Sequence, residues 1–297
     1  MSHCFTVFLL VIFGAYCTHA ASVGCGRQAS QYSVSISTTA RIVGGDTARP
    51  HSWPWQISLR KVNLHICGGT ILRIKDEIDE NDIVLTAAHC VPRNKGLIGD
   101  FSRHRVVAAS QNKRQCGVPG KESRMIANMV IHANYSGNAN DVAIVLLDKP
   151  IKFSDSVRRS CLAKSDDPVP VGLTCVAIGS GRDESLTGHS PDELKQTLAP
   201  AYDVATCKQK WNGKSEAWNN AFLCAGVPDG SSSVRNGDSG GPLVCQQKDG
   251  SWVQHGVAGF VASRKCSSKK PPVFARLTTY ANWIGEKINE LSTLVKS

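Results

Sequence analysis

No stretch beyond the first twenty residues is apolar for long enough to cross a bilayer as a helix, and the run within them, Phe5 to Ala15, is itself too short. No short cluster of cysteine and histidine has zinc spacing, so no metal is expected. There is no long low-complexity tract to argue for disorder, and no internal repeat is visible. Acidic residues are in deficit, 24 against 34 basic ones, for a net charge of +10 in 297 residues. The basic residues are scattered, with no basic helix and no interleaved aromatics, so nucleic-acid binding has no motif behind it. The surplus suits a solvated positive surface that attracts acidic partners. Lys75 to Asp82 concentrates carboxylates but lacks the EF-hand alternation with its central glycine; it reads as a solvated acidic loop.

What is there begins with a leader. Phe5–Ala15 followed by Thr18-His19-Ala20 resembles a secretory signal peptide over residues 1–20, although its start lacks Lys and Arg. The expectation is a secreted, extracellular protein with no membrane span. Of twelve cysteines, Cys4 and Cys17 would leave with the leader, and the even remainder suggests disulfides of open connectivity. Residues 21–41 are polar and Ser-rich and read as a flexible propeptide. They end at Arg41, before Ile42-Val43-Gly44-Gly45, which looks either like a processing site or like a basic residue heading a strand. Beyond it the chain reads as β-rich. Trp55 to Leu59 alternates, Arg105–Val107 and Met129–Ile131 do so in part, and Asp141 to Leu147 suits a buried strand. Gly and Pro punctuate the short strands, favouring barrels or sandwiches. Tyr280, Trp283, Ile284, Ile288, Leu291 and Leu294 recur at helical spacing and predict a docked C-terminal helix.

Three short motifs bear on chemistry. Gly237-Asp238-Ser239-Gly240-Gly241-Pro242 suits a sharp turn exposing a hydroxyl, or an ordinary β-turn. Thr86-Ala87-Ala88-His89-Cys90 sets a histidine among small residues, and Asp141 heads an apolar run where a partly buried carboxylate needs a partner. Together with Ile42-Val43-Gly44-Gly45, these pieces resemble the trypsin/chymotrypsin-like serine endopeptidase family, in the order His, Asp, Ser. The resemblance runs from about Cys25 to Trp283. It implies two antiparallel six-stranded β-barrels with a C-terminal α-helix, an all-β fold spanning 42–297 with a boundary near 155. It implies His89 as base and acid, Asp141 as orienter, Ser239 as nucleophile, and an oxyanion hole from the N–H groups of Gly237 and Ser239. Cleavage after Arg41 would free the Ile42 amino group to pair with Asp238. The implied disulfides are Cys67–Cys90, Cys175–Cys245, Cys207–Cys224 and Cys25–Cys161, the last keeping a cleaved propeptide attached. No cofactor is implied.

The departures bear on specificity. The resemblance places Ser233, Val234, Asn236, Gly259, Phe260, Val261 and Pro272 around the substrate pocket. Ser233 stands at the floor, where trypsin-like relatives carry aspartate; an unpaired substrate cation there would be costly. Val234, Val261 and Pro272 narrow the space, which implies small apolar residues before the scissile bond, with acidic residues the runner-up through Arg235 and the basic rim. Gly259 stands where relatives have a serine that bonds the catalytic aspartate. Cys266 lacks its usual partner, that position being Arg235, and Cys116 is also left over. The expected function is a secreted endopeptidase acting on proteins or peptides, activated by a trypsin-like protease and open to protein inhibitors; the alternative is a catalytically weak homologue that binds or regulates. Asn134-Tyr135-Ser136 is a glycosylation sequon.

Overall fold

The computed structural model describes residues 24–33, 45–72, 80–94, 97–112, 120–181, 192–229, 234, 237–262 and 270–294. The first half carries β1 (Asp46–Thr47), β2 (Gln56–Lys61), β3 (Leu64–Ile71), β4 (Glu80–Thr86), β5 (Arg93–Asn94), β6 (Leu97–Ile98), β7 (His104–Ala108), β8 (Glu122–Ile131) and β9 (Ala143–Lys152). The second carries β10 (Cys161–Leu162), β11 (Cys175–Gly179), β12 (Lys195–Leu198), α1 (Val204–Trp211), α2 (Ala217–Asn220), β13 (Phe222–Cys224), β14 (Pro242–Gln246), β15 (Trp252–Phe260), β16 (Val273–Arg276) and α3 (Leu277–Leu294).

In the first half, β2-β3-β4-β9-β8-β7 closes into a six-stranded antiparallel barrel. The continuous apolar run of β9 is buried from Ala143 to Leu147, as a barrel strand packed on both sides requires. β2 departs from its pattern. Its alternation predicts a strand with one solvated face, yet Gln56, Ser58 and Arg60 on the polar face are buried along with Ile57 and Leu59. On that face Arg60 donates to Ser58 and Ser110, and Ser58 meets His65 of β3. Glu80–Asp82 correct the acidic-loop reading: they open β4, where Glu80 and Asn81 pair with Lys152 and Ile151. Lys75–Asp79 lie outside the described residues.

The second half forms a sheet in the order β1-β12-β11-β14-β15-β16-β13, with β10 beside β15. Its last seam is a single bridge, Ala201 to Ala225, flanked by Tyr202 N–H to Cys224 O at 2.9 Å and Gly226 N–H to Pro200 O at 3.0 Å. Six strands, β11 to β16, thus curl into a second, less completely laddered barrel, and β1 and β10 are additions to it. α1 begins at Asp203, whose side chain accepts from Thr206 N–H, and ends at Asn212 in the left-handed conformation. On α3, Tyr280, Ile284, Ile288 and Leu291 form one buried stripe. His132 beside β8 packs its ring on Tyr280 and Trp283, so the helix docks on the first barrel.

Residues 24–33 are not the flexible segment their composition suggests. Cys25 is bonded to Cys161. Gly26 N–H donates to Arg159 O, and Trp252 N–H donates to Gly26 O. Gly26 has φ +67, and a Cβ there would sit 2.1 Å from Trp252 O, so only glycine fits. Arg27 pairs with Asp249 at 2.6 Å, Gln31 reaches Asp155, and Ala29 is buried. Polar side chains docked by a disulfide and a backbone exchange carry no hydrophobic periodicity to read. Three further disulfides join Cys67–Cys90, Cys175–Cys245 and Cys207–Cys224.

Candidate active site

β4 delivers Thr86, and the chain then turns through one short 3-10 helix, Ala88–Cys90, that carries His89. The Cys67–Cys90 bond ties this turn to β3. Across from it, Asn140 adopts φ +57, a left-handed position that asparagine tolerates, and so aims Asp141 inward just ahead of β9. Asp141 is 3% exposed, and a carboxylate buried to that degree requires donors. Among the described residues it has two, both from His89: the backbone N–H to Oδ1 at 2.9 Å and ring Nδ1 to Oδ2 at 2.6 Å. A carboxylate only accepts, so Nδ1 carries its proton and a neutral imidazole has Nε2 free to accept one. The surrounding phenols stay protonated. Burial, aided by the Asp141 charge, pushes the Tyr280 hydroxyl up to about 12. Burial also raises Tyr135, with Asp141 adding to the shift and Arg93, stacked 4.5 Å from its ring centre, opposing it.

Ser239 sits in the tight turn Gly237–Gly240 ahead of β14. Its carbonyl accepts from Gly68 N–H at 2.8 Å, and Gly240 N–H donates to Ala258 O at 2.8 Å. Gly240 has φ +78, and a Cβ on it would lie 2.2 Å from Thr86 Oγ1, so the turn can press against the strand that carries His89 only because that residue is glycine. Two consecutive residues of β3 therefore hold the two sides: Cys67 braces the histidine turn and Gly68 anchors the serine turn. Among the described residues no hydrogen bond joins the Ser239 hydroxyl to His89.

Gly237 takes φ +100. Its carbonyl accepts from His65 Nε2 at 2.8 Å. The Asp238 carboxylate accepts from Gly181 N–H at 2.6 Å, in a niche where a Cβ on Gly179 or Gly181 would collide with it. Neither His65 nor Thr86, whose hydroxyl donates to Gly68 O, carries a motif of its own. Thr86 stands at the head of the stretch that carries His89, and for His65 the signal is one polar residue between Leu64 and Ile66. Arg41 and Ile42 lie outside the described residues.

Of the pocket residues, Val234 is buried in an apolar cluster with Leu223, Ala225 and Phe274, and Val261 packs against the same cluster. Pro272 lies against Gly226, its Cδ 3.0 Å from where a Cβ would be. Phe260 ends β15, its ring edge-on to Trp211 and Phe222. Gly259 is next to the buried carboxylate: a Cβ there would stand 3.7 Å from Asp141 Oδ2. Ser233, Arg235, Asn236, Cys116 and Cys266 lie outside the described residues. Cys67, His89 and Cys90 are close enough together to suggest a metal, but both sulfurs are spent in their disulfide and offer no thiolate.

Comparison with known proteins places this geometry in context. The family model described as Trypsin matches residues 42–284. Chymotrypsin-C of Bos taurus is 34% identical over 287 residues, which cover 94% of this chain and 98% of that protein. Chymotrypsin-C of Mus musculus is 34% identical over 278 residues, covering 91% and 97%.

Proposed function

Because the chain belongs to the trypsin family of serine endopeptidases, we propose that it cleaves peptide bonds through Ser239, His89 and Asp141 as a secreted zymogen. The observation that carries this is the pair of hydrogen bonds that His89 donates to the sealed Asp141 carboxylate, which fixes the imidazole with Nε2 as its basic nitrogen. Ser239 Oγ attacks the scissile carbonyl while His89 Nε2 takes its proton and then returns it to the departing amine. Water resolves the acyl-enzyme by the same route. Asp141 keeps the ring in its tautomer and offsets the imidazolium charge; the N–H groups of Gly237 and Ser239 receive the oxyanion. The test is labelling by a fluorophosphonate after cleavage at Arg41: the wild type is labelled and Ser239→Ala is not. Equal labelling of both would overturn the assignment.

Residues 1–20 are the leader, residues 21–41 the propeptide, and 42–297 the protease domain. Cleavage after Arg41 by a trypsin-like protease frees the Ile42 amino group to pair with Asp238. That pairing would order the Gly237 turn, next to the Gly181 bond Asp238 already makes. Ile42→Gly, cleaved normally, is expected to lose most of its turnover; wild-type turnover in steady-state assay would contradict this switch.

The pocket favours small apolar residues before the scissile bond. Val234 and Val261 converge in one apolar cluster, and Pro272 fills the space beside Gly226. Such walls offer an Arg or Lys side chain no countercharge. Profiling with a peptide library checks this, and efficient cleavage after Arg or Lys would refute it.

A further inference from the structure

The polar face of β2 is buried for a reason that reaches the serine turn. Arg60 is 7% exposed, an unusual place for a guanidinium, and the β2–β3 register shifts between Leu59 and Arg60, a bulge of the kind that re-aims a side chain. Its Nε donates to Ser58 Oγ at 3.1 Å and its Nη2 donates to Ser110 Oγ at 2.9 Å. Ser58 Oγ lies 2.8 Å from His65 Nδ1, and His65 Nε2 lies 2.8 Å from Gly237 O. The proton positions follow from what each group can do. A carbonyl only accepts, so Nε2 of a neutral His65 carries the hydrogen and Nδ1 is bare. Ser58 must then donate to Nδ1. A guanidinium only donates, so Ser58 receives from Arg60 and has its single hydrogen left for the ring. Arg60, Ser58, His65 and Gly237 form one directional relay, and Ser110 accepts a second bond from Arg60 on its other side.

We propose that Arg60 is a positioning residue for the oxyanion site: through Ser58 and His65 it pins the Gly237 carbonyl, and with it the Gly237–Asp238 peptide plane that lies between the two donor N–H groups, those of Gly237 and Ser239. This rests on the reading of Gly237 and Ser239 as oxyanion donors. Removing one such donor outright costs about a hundredfold or more in kcat. Loosening its support is expected to cost less, about ten- to a hundredfold.

The experiment uses the activated full chain and three readouts: kcat and KM on a peptide substrate, affinity for a peptidyl boronic acid, and the thermal midpoint. The boronate's tetrahedral adduct on Ser239 puts an oxygen where the oxyanion forms. Arg60→Met is expected to lower kcat and boronate affinity by the same factor, with KM within about twofold of wild type. Ser58→Ala should do the same, and the double variant should be no worse than Ser58→Ala alone, since both cut one relay. In a His65→Gln background, where the amide N–H can still donate to Gly237 O without Ser58, Arg60→Met should have no further effect on kcat. Unchanged kcat and boronate affinity with only a lowered midpoint would make Arg60 merely structural and overturn the proposal, as would independent, multiplying losses. Should Arg60→Met fail to fold, the small Ser58→Ala change carries the same test: full kcat in it overturns the relay. A wild type that takes no fluorophosphonate would instead refute the catalytic reading on which the proposal stands.

Discussion

Asp141 is almost sealed from solvent, yet among the described residues both of its hydrogen bonds come from His89. Oδ2 lies beside Gly259, 3.7 Å from where a Cβ on that residue would stand. Gly259→Ser would place an O–H donor within reach of that oxygen; Val273 O, 3.2 Å from the new Cβ, is the tight side of the site. We expect kcat to rise a few-fold with KM little changed, read by steady-state kinetics, and a fall in kcat would mean that crowding against Val273 wins. His89, Asp141 and Ser239 are singled out in the sequence only together, since each stretch alone also reads as an ordinary turn, histidine or strand start; their order carries the resemblance, and the contact between His89 and Asp141 is what the structure adds. His65, Ser58 and Arg60 were not, because their meeting depends on strand register and a bulge, which no local pattern encodes.

At the level of elements, the strands that were continuous in apolar character and the striped C-terminal helix could be read directly, since burial on both faces or on one stripe writes itself into composition. The short second-sheet strands and the single-bridge seam could not, being set by tertiary closure. Residues 24–33 carry no such pattern, so their docking beyond the Cys25 tether is not written in composition: the anchors are a disulfide, a backbone exchange with Trp252 and one surface ion pair, Arg27 with Asp249. Cleavage after Arg41 should therefore leave this segment in place. Intact mass measured without reductant is expected to retain residues 21–41, and mass after reduction should fall by that segment. Its loss without reductant would show that Cys25 is not bonded in the secreted protein. Gly26→Ala should give poor secretion or a lowered midpoint, because its Cβ would collide with Trp252 O.

At the scale of the molecule, four histidines among the described residues are sheltered enough to resist charging. Burial lowers His255, with Arg276 adding to the effect and Asp167 opposing it, and both of its ring nitrogens are sealed with no hydrogen-bond partner among the described residues. Burial likewise lowers His104, His132 and His51. Below the ordinary value of 6.5 the unfolded chain takes up protons that the folded one refuses, so stability is full above that pH and declines as acid is added until the folded-state values are reached. The thermal midpoint should fall from pH 7 towards 5, and His255→Gln should flatten the slope. An unchanged slope would assign the acid sensitivity elsewhere.

One contact offers a way to watch the two barrels work as a unit. Gly68 N–H, on the first barrel, is spent on the carbonyl of Ser239, on the second. Its deuterium uptake can proceed only when the halves part or β3 frays, so that single amide times the opening of the whole catalytic cleft. Slow exchange at Gly68 that quickens only under conditions that also abolish turnover would make it a resident clock for active-site integrity, readable without any substrate.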